Sequence, residues 1–143
     1  MRSNQSMPQA QIIPEIAYPD VSAATEWLCK AFGFSVRLRI GNHRAQLELG
    51  SGALIVRAGK PASEACSAHS IMVRVESVDE HYATAVAAGA KTSGPPMTHP
   101  YGERQYGAQD LAGHWWVFSE SVQDVCPGDW GGELVSPRLR HGS

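Results

Sequence analysis

The sequence predicts an α+β domain of two tandem βαβββ modules, whose strands form a curled mixed sheet with a cleft. One observation is a repeat in which an acidic residue precedes a glycine by 13 positions: Asp20 precedes Gly33, and Glu76 precedes Gly89. Another is a helix-like stretch inside each interval, and a third is a run of strand-like segments after it. Each module is too short to bury its own core, so we expect the two to pack together.

The first helix is predicted over residues 22–32. Its apolar residues recur at the i, i+3, i+4 and i+7 spacing of one helix face. They are Ala24, Trp27, Leu28 and Ala31. Gly33 then supplies the left-handed residue at which helices commonly end.

Three strands are predicted after this helix. Residues 34–40 alternate strictly between apolar and polar, which predicts that one face carries all of the apolar side chains. Those side chains are Phe34, Val36, Leu38 and Ile40. After a hairpin signal at Gly41-Asn42, residues 43–49 and 53–57 supply the second and third strands.

The second module repeats this order of elements. Residues 70–75 predict a strand, and Ser77 with Glu80 forms a capping box at the start of a helix. Residues 104–109 and 114–119 then predict a hairpin.

These elements divide the chain into three parts. We predict a flexible tail over residues 1–10 and a single domain over 11–121, with modules at 11–58 and 69–121. Residues 122–143 form a C-terminal extension.

The composition excludes several classes of protein. A net charge of −2 and a pI near 6.3 argue against a nucleic-acid partner or an anionic membrane surface. The three cysteines show no Cys-x-x-Cys spacing, so we expect a reduced, cytoplasmic protein without a zinc knuckle. The longest apolar runs are far shorter than a membrane span.

Four short segments carry a resemblance to a known superfamily. They are Tyr18-Pro19-Asp20-Val21, Ala31-Phe32-Gly33-Phe34, Val75-Glu76-Ser77-Val78-Asp79, and Gly102-Glu103-Arg104 followed by Asp110-Leu111-Ala112-Gly113-His114-Trp115. In this order and spacing, residues 12–120 resemble the vicinal oxygen chelate superfamily, also called the glyoxalase/bleomycin resistance/dioxygenase group. The resemblance implies the two-module fold, usually within a homodimer, and it implies no single reaction because the fold hosts several.

Metal enzymes of this superfamily place one ligand on each module's first strand and one on each last strand. Carried over by spacing, these positions are Ile13, Val56, Ser70 and Val117. None of the four offers the imidazole, carboxylate or thiolate that a transition metal needs. The resemblance therefore implies the family fold without its usual metal site, and we predict no cofactor.

An alternative metal site is possible if the register is shifted. His69 lies one residue from the Ser70 position, and a one-residue shift or a bulge would re-aim its side chain. Glu48 is the nearest acid for a further ligand, and His43 or His114 would complete the set. This site would make the protein a divergent metal-dependent lyase, isomerase or dioxygenase.

Five residues are predicted to bind a ligand. They are Trp115, Arg104, Tyr106, His43 and Gln46. Alternation places Trp115 on the face of Val117 and sends Trp116 to the helices, so Trp115 could stack on a flat ligand or fill the core. Arg104 could clamp an anion or form a surface salt bridge.

The first prediction for function is therefore a protein that binds or sequesters an aromatic or amphipathic small molecule in its cleft. The sequence leaves open whether it also catalyses a reaction. The enzyme with displaced metal ligands is the second hypothesis. A non-catalytic module that binds another protein is the third.

Overall fold

The structure, a computed structural model, describes residues 2–60 and 69–135. Over these residues it confirms the predicted α+β fold of two βαβββ modules. The elements are β1 (Glu15–Tyr18), α1 (Val21–Phe32), β2 (Ser35–Ile40), β3 (Arg44–Leu49), β4 (Gly52–Ala58), β5 (Ile71–Arg74), α2 (Val78–Ala87), β6 (Lys91–Thr92), β7 (Met97–Thr98), β8 (Glu103–Gln109), β9 (Trp115–Ser121) and a 3₁₀ turn (Pro127–Trp130). Neither helix is both long and apolar enough to cross a membrane in the part of the chain described.

Helix α1 begins one residue before its predicted start, at Val21, and ends at Gly33 as predicted. The Asp20 carboxylate accepts a hydrogen bond from the Ala23 amide at 3.1 Å, which satisfies one free amide of the first turn. Gly33 ends α1 with φ of +84°. In α2, the Ser77 hydroxyl accepts from the Glu80 amide at 3.4 Å, which confirms the predicted N-cap.

The strands form two open sheets, one in each module. The first sheet has the order β1-β4-β3-β2, with β1 parallel to β4. The second has the order β5-β9-β8-β6, with β5 parallel to β9 and with β7 also paired to β8. Pro95-Pro96 separates β6 from β7, because proline cannot donate to a strand ladder.

The two modules share one core. The Phe32 ring at the end of α1 lies 4.7 Å from the Phe118 ring and 5.2 Å from the Trp116 ring, centroid to centroid. The Trp27 indole donates to the Ala88 carbonyl at 2.7 Å and so ties α1 to the end of α2. These contacts explain how two short modules can each bury an apolar face.

A bulge in β2 makes one sequence prediction wrong. Val36 pairs with Leu47 of β3, but Leu38 pairs with Gln46, so Arg37 is an extra residue in β2. The bulge reverses the alternation, because residues that pair across a ladder point to the same face. The apolar side chains of β2 are therefore divided between the two faces of the sheet.

A buried carboxylate joins the modules. Asp110, in the turn between β8 and β9, accepts from the Tyr18 hydroxyl at 2.5 Å and from the Trp116 indole at 3.1 Å. Its other oxygen accepts from the amides of Ala112 and His114, each at 3.0 Å. Every bond offers a hydrogen to the carboxylate, which offsets the cost of removing it from water. Burial, followed by the Asp110 charge, strongly raises the pKa of Tyr18.

The terminal segments both pack on the domain. The tail predicted to be flexible folds back, and the carbonyls of Gln5 and Ser6 accept hydrogen bonds from side chains of the first sheet. In the C-terminal extension, the Gln123 carbonyl occupies the space where a Cβ on Gly102 would lie, and Gly102 has φ of +85°. Only glycine is compatible with this approach.

One stretch of the predicted organisation lies outside the described residues. Residues 61–68 make up most of the predicted connection between the modules and include Cys66. The other two cysteines, Cys29 and Cys126, are free thiols.

We expect the Tyr18–Asp110 bond to dominate the coupling between modules. Tyr18→Phe should lower the free energy of unfolding by roughly 1.5–3 kcal/mol, as expected for a hydrogen bond to a charged group. In a cycle with Asp110→Asn, the double variant should be less destabilised than the two single effects added together. Urea denaturation measures each value.

Tyr101→Phe is the matched control, because its hydroxyl donates at 3.1 Å to the uncharged amide oxygen of Gln105 within the second module. This control should lose only about 0.5–1.5 kcal/mol. Equal losses for the two tyrosines, with no coupling to Asp110, would contradict the assigned role.

Candidate functional site

A cleft of about 800 Å³ lies between the two modules, and we call it the inter-module cleft. One wall is the end of α1 and the β3–β4 turn, and the other is β5. Its apolar lining includes Phe32, Phe34, Leu49, Leu54, Met72 and Trp116. This volume lies in the range of sites that hold small molecules.

The polar groups at the inter-module cleft are few. Arg74 and Glu76 contribute one charge of each sign. Arg74 also donates to the Ser121 hydroxyl at 2.8 Å, which fixes its direction. An apolar cavity with few polar groups favours a ligand that is mostly apolar.

His81 of α2 lies at the floor of this cleft. Its Nδ1 is 2.6 Å from the Tyr106 hydroxyl, and its ring lies 4.1 Å from the Phe118 ring centroid. Its Nε2 is buried and makes no hydrogen bond. Burial lowers the pKa of His81, although the nearby Phe32 carbonyl opposes this effect. The imidazole is therefore neutral at neutral pH.

The second sheet has a face that no helix covers, which we call the second open face (Met72, Gly107, Trp115 and Val117). Met72 pairs with Val117 across β5 and β9, and Gly107 pairs with Val117 across β8 and β9. Met72 is 63% exposed, whereas the indole nitrogen of Trp115 is buried without a hydrogen-bond partner. Trp116 points the other way, into the core, as predicted, and Phe118 lies in the core with it.

A polar row continues the second open face beyond Val117. Ser119 donates to the Glu103 carboxylate at 2.6 Å and accepts from the Gln105 amide at 3.0 Å. Burial acts to raise the pKa of Glu103, but hydrogen bonds from Ser119 and Ser121 and the charge of Arg74 hold it below its ordinary value. This face therefore has an apolar end and a polar end.

The predicted ligand residues of the second module do not converge. Tyr106 pairs with Phe118 and is buried in the core, on the opposite face from Trp115. Arg104 shares the face of Tyr106 and binds Asp79 of α2 at 3.1 Å. Trp115 therefore lies on the opposite face of the sheet from Tyr106 and Arg104, because β8 directs its alternate residues to the helix-covered side.

The two predicted residues of the first module belong to its sheet and to the β2–β3 turn. His43 is exposed in the β2–β3 turn. Gln46 is buried on the face of the first sheet that no helix covers, which we call the first open face (Gln46, Glu48, Ala53 and Ile55). None of the five predicted residues lines the inter-module cleft.

Pairing also corrects the equivalence of the two last strands. Leu54 pairs with Leu47, and Trp116 pairs with Ala108, and all four side chains are in the core. The residue equivalent to Val117 is therefore Ile55, whereas Val56 is fully buried. Val56 and Val117 each lie four residues after a turn glycine, Gly52 or Gly113. This equal spacing does not make them equivalent, because Gly52 is already paired in β4, whereas Gly113 lies in the turn before β9.

The sequence matches a known family along most of its length. The profile of the Glyoxalase/Bleomycin resistance protein/Dioxygenase superfamily matches residues 10–118. The chain belongs to this superfamily. No curated protein matches the sequence.

Solved structures of the glyoxalase/bleomycin resistance/dioxygenase superfamily share the fold. TioX from Micromonospora sp. ML1 is 37% identical, with a TM-score of 0.67, over 78% of this chain and 98% of its own. FosX from Listeria monocytogenes, a fosfomycin resistance protein of which a mutant was solved with Mn(II) and 1S,2S-dihydroxypropylphosphonic acid, is 17% identical, with a TM-score of 0.66, over 78% of this chain and 90% of its own. A family enzyme from Burkholderia phytofirmans PsJN is 19% identical, with a TM-score of 0.63, over 76% and 96%.

The superfamily's metal site does not fit the residues present here. With the corrected register, its positions fall on Ile13, Ile55, Ser70 and Val117. Three hydrocarbon side chains and one hydroxyl do not form a transition-metal site. Within residues 2–60 and 69–135, no three His, Cys, Asp or Glu side chains are grouped closely enough to hold a metal ion.

The residues of the alternative metal site, all within the described part of the chain, make separate contacts and do not form one cluster. Glu48 lies 3.7 Å from the Arg37 guanidinium, which competes for its charge. His69 is exposed ahead of β5. His114 instead bonds the Ala17 carbonyl through Nε2 at 2.8 Å, so it supports the contact between modules.

The residues that line the inter-module cleft were missed from the sequence. Phe32, Phe34 and Trp116 read as ordinary core residues, because their spacing satisfies helix and strand periodicity. One residue could have indicated the cleft from the sequence. Alternation along β5 places Met72, an apolar side chain, on the face that does not pack on the helices.

We expect His81 to make stability depend on pH. Because its pKa is lower in the folded chain than the ordinary 6.5, the unfolded chain binds more protons below that pH. The free energy of unfolding should therefore fall as the pH drops below about 6.5, and level off once the pH is under the folded pKa. His81→Gln should remove this part of the dependence, as measured by urea denaturation at pH 7.5 and 5.5.

His43→Gln serves as the control for loss of an exposed histidine. The charged groups around His81, which are Lys30, Glu76 and Glu80, are unchanged in both variants. The free energy of unfolding of His81→Gln could instead fall between pH 7.5 and 5.5 by as much as that of the wild type. That result would contradict a lowered pKa for His81.

Proposed function

We propose that this protein binds or sequesters an aromatic or amphipathic small molecule in the inter-module cleft, without a transition metal. The observation that carries the proposal is the cleft itself, an open cavity of about 800 Å³ lined mostly by apolar residues of both modules. A cavity of this size suits a ligand of two or three fused rings.

The lining favours an aromatic ligand. Phe32, Phe34 and Trp116 already pack edge-to-face or tilted against each other, at centroid distances of 5.2 and 5.7 Å. Because these rings are almost fully buried, a flat ligand meets them only at their edges, where each aromatic pair adds about 0.5–1.5 kcal/mol beyond the burial of its area. Arg74 and Glu76 would orient a polar end of the ligand.

The residues also support binding over metal-assisted chemistry. The positions that carry metal ligands in relatives hold no suitable donor in this chain, under either register. FosX was solved with a manganese ion, but its 17% identity supports only a shared fold. Binding therefore needs fewer assumptions about this chain than a metal-dependent lyase, isomerase or dioxygenase.

We also propose a homodimer. Both β1 and β5 lie at sheet edges in the described parts of the chain, so each presents unpaired backbone groups. The second open face carries the exposed Met72 beside one of these edges. A second copy that supplies partners for both edges would cover this surface.

Ligand binding is tested on the full chain labelled with ¹⁵N. Titration with neutral bicyclic aromatics, beginning with 1-naphthol, should shift the amide signals of residues 71–76 and 50–54. Met72→Glu should weaken binding roughly tenfold, because it replaces an apolar contact with a charge.

Met97→Glu is the matched control, because Met97 is 64% exposed on β7 and lies outside the cleft. It should leave the affinity unchanged. Unmoved cleft signals across the panel at millimolar concentration, or equal losses in the two variants, would overturn the proposal.

The homodimer predicts a molecular mass of twice the 15.4 kDa of one chain. Sedimentation equilibrium of the full chain over a range of concentrations measures it. A single species with the mass of one chain at every concentration would refute the dimer. The Met72→Glu variant is measured in the same way, so that a change of assembly is distinguished from a change in the cleft.

A further inference from the structure

A second, smaller cavity adjoins the inter-module cleft at the ends of the two helices. It has a volume of about 360 Å³ and lies between the last turn of α1 and the first two turns of α2, and we call it the side pocket (residues 30–33, 75–77, 80, 81 and 84). The residues that line both cavities are Phe32, Gly33, Val75, Glu76 and His81. A ligand whose body lies in the cleft can therefore place one end in the side pocket.

The side pocket is charged, whereas the cleft is mostly apolar. Glu76 and Glu80 contribute two carboxylates, and Lys30 contributes one ammonium group, so the lining has a net charge of −1. Over residues 2–60 and 69–135, none of these three groups takes part in an ion pair. His81 adds no positive charge at neutral pH, because burial lowers its pKa.

The end of α1 adds partial negative charge to the same place. The last carbonyls of a helix have no partner within the helix. The Gly33 amide takes up the Cys29 carbonyl at 3.1 Å, which leaves the carbonyls of residues 30–32 as the last acceptors of α1. Residues 30–33 line the side pocket, and the C-terminus of a helix stabilises a nearby cation.

The start of α2 does not offer an equivalent place for an anion. The Glu120 carboxylate accepts a hydrogen bond from the Val78 amide at 2.9 Å, and the Ser77 hydroxyl accepts from the Glu80 amide at 3.4 Å. Two of the amides that would hold an anion are thus engaged. An anion would also meet the charges of Glu76 and Glu80. The electrostatics of the side pocket therefore favour a cation.

We propose that the side pocket binds a positively charged end, a primary ammonium group, of the aromatic ligand whose body lies in the inter-module cleft. This inference rests on the proposed function, because the aromatic body anchors the charged end. An ammonium group has three donors and no acceptor. The carboxylates of Glu76 and Glu80, with the carbonyls at the end of α1, supply acceptors for these donors.

The test compares two ligands of the same shape on the full chain labelled with ¹⁵N. 1-Naphthylmethylamine is positively charged at neutral pH, and 1-naphthalenemethanol is its neutral counterpart. At low ionic strength the amine should bind about fivefold more tightly, which is near the upper limit for a partly exposed ion pair. Added salt should reduce this preference. The amine should also shift the amide signals of residues 77–84 more than the alcohol does.

Two variants should change the preference for the amine in opposite directions. Glu80→Gln removes a negative charge from the side pocket and should lower the preference to about twofold or less. Lys30→Met removes the competing positive charge and should raise the preference. Glu133→Gln is the matched control, because Glu133 is exposed in the C-terminal extension and lines neither cavity. It should keep the wild-type preference.

The outcomes separate this inference from the proposed function. Equal affinities of the wild type for the two ligands would overturn the charged site, and so would a preference that Glu80→Gln and Lys30→Met leave unchanged. Binding of the alcohol at the cleft would leave the proposed function standing in either case. If neither ligand binds at millimolar concentration, both the cleft ligand and its charged end are refuted.

Discussion

The Asp110 carboxylate is the contact on which the rest of the structure depends. It is buried where the modules meet, and its four hydrogen bonds reach a strand of the first module and the last hairpin of the second. The indole that it holds belongs to Trp116, which is also a wall of the cleft. The shape of the cleft thus follows from one satisfied charge, since a buried carboxylate without these donors would be far too costly.

Much of the fold could be predicted from local chemistry. Asp20, Ser77 and Gly33 act through bonds to their near neighbours, so their roles are visible in the sequence. The bulge at Arg37 could not be predicted in this way, because it depends on which residue of β3 lies opposite. The same limit explains Val56, where a count along the chain missed by one residue and so chose the wrong face of the sheet.

The candidate site was harder to predict than the fold. Alternation correctly separated Trp115 from Trp116, but it does not say which face of a strand a helix will cover. For Tyr106 and Arg104 that face was the covered one. The conclusion about metal donors survives the change of register, because Val56 and Ile55 are both hydrocarbons. Conclusions that rest on the chemistry of a residue are thus more robust than those that depend on the side of the sheet to which its side chain points.

The close approach at Gly102 links the extension to the domain in a way that constrains sequence change. The Gln123 carbonyl occupies the space of a β-carbon there, so residue 102 and the path of the extension cannot vary independently. Two features favour glycine at position 102, the contact with the Gln123 carbonyl and the positive φ. A chain of this fold without the extension would lack the contact and keep only the positive φ. Gly102 and the path of the residues beyond the last strand are therefore coupled in this chain, because the extension turns back over the β7–β8 loop.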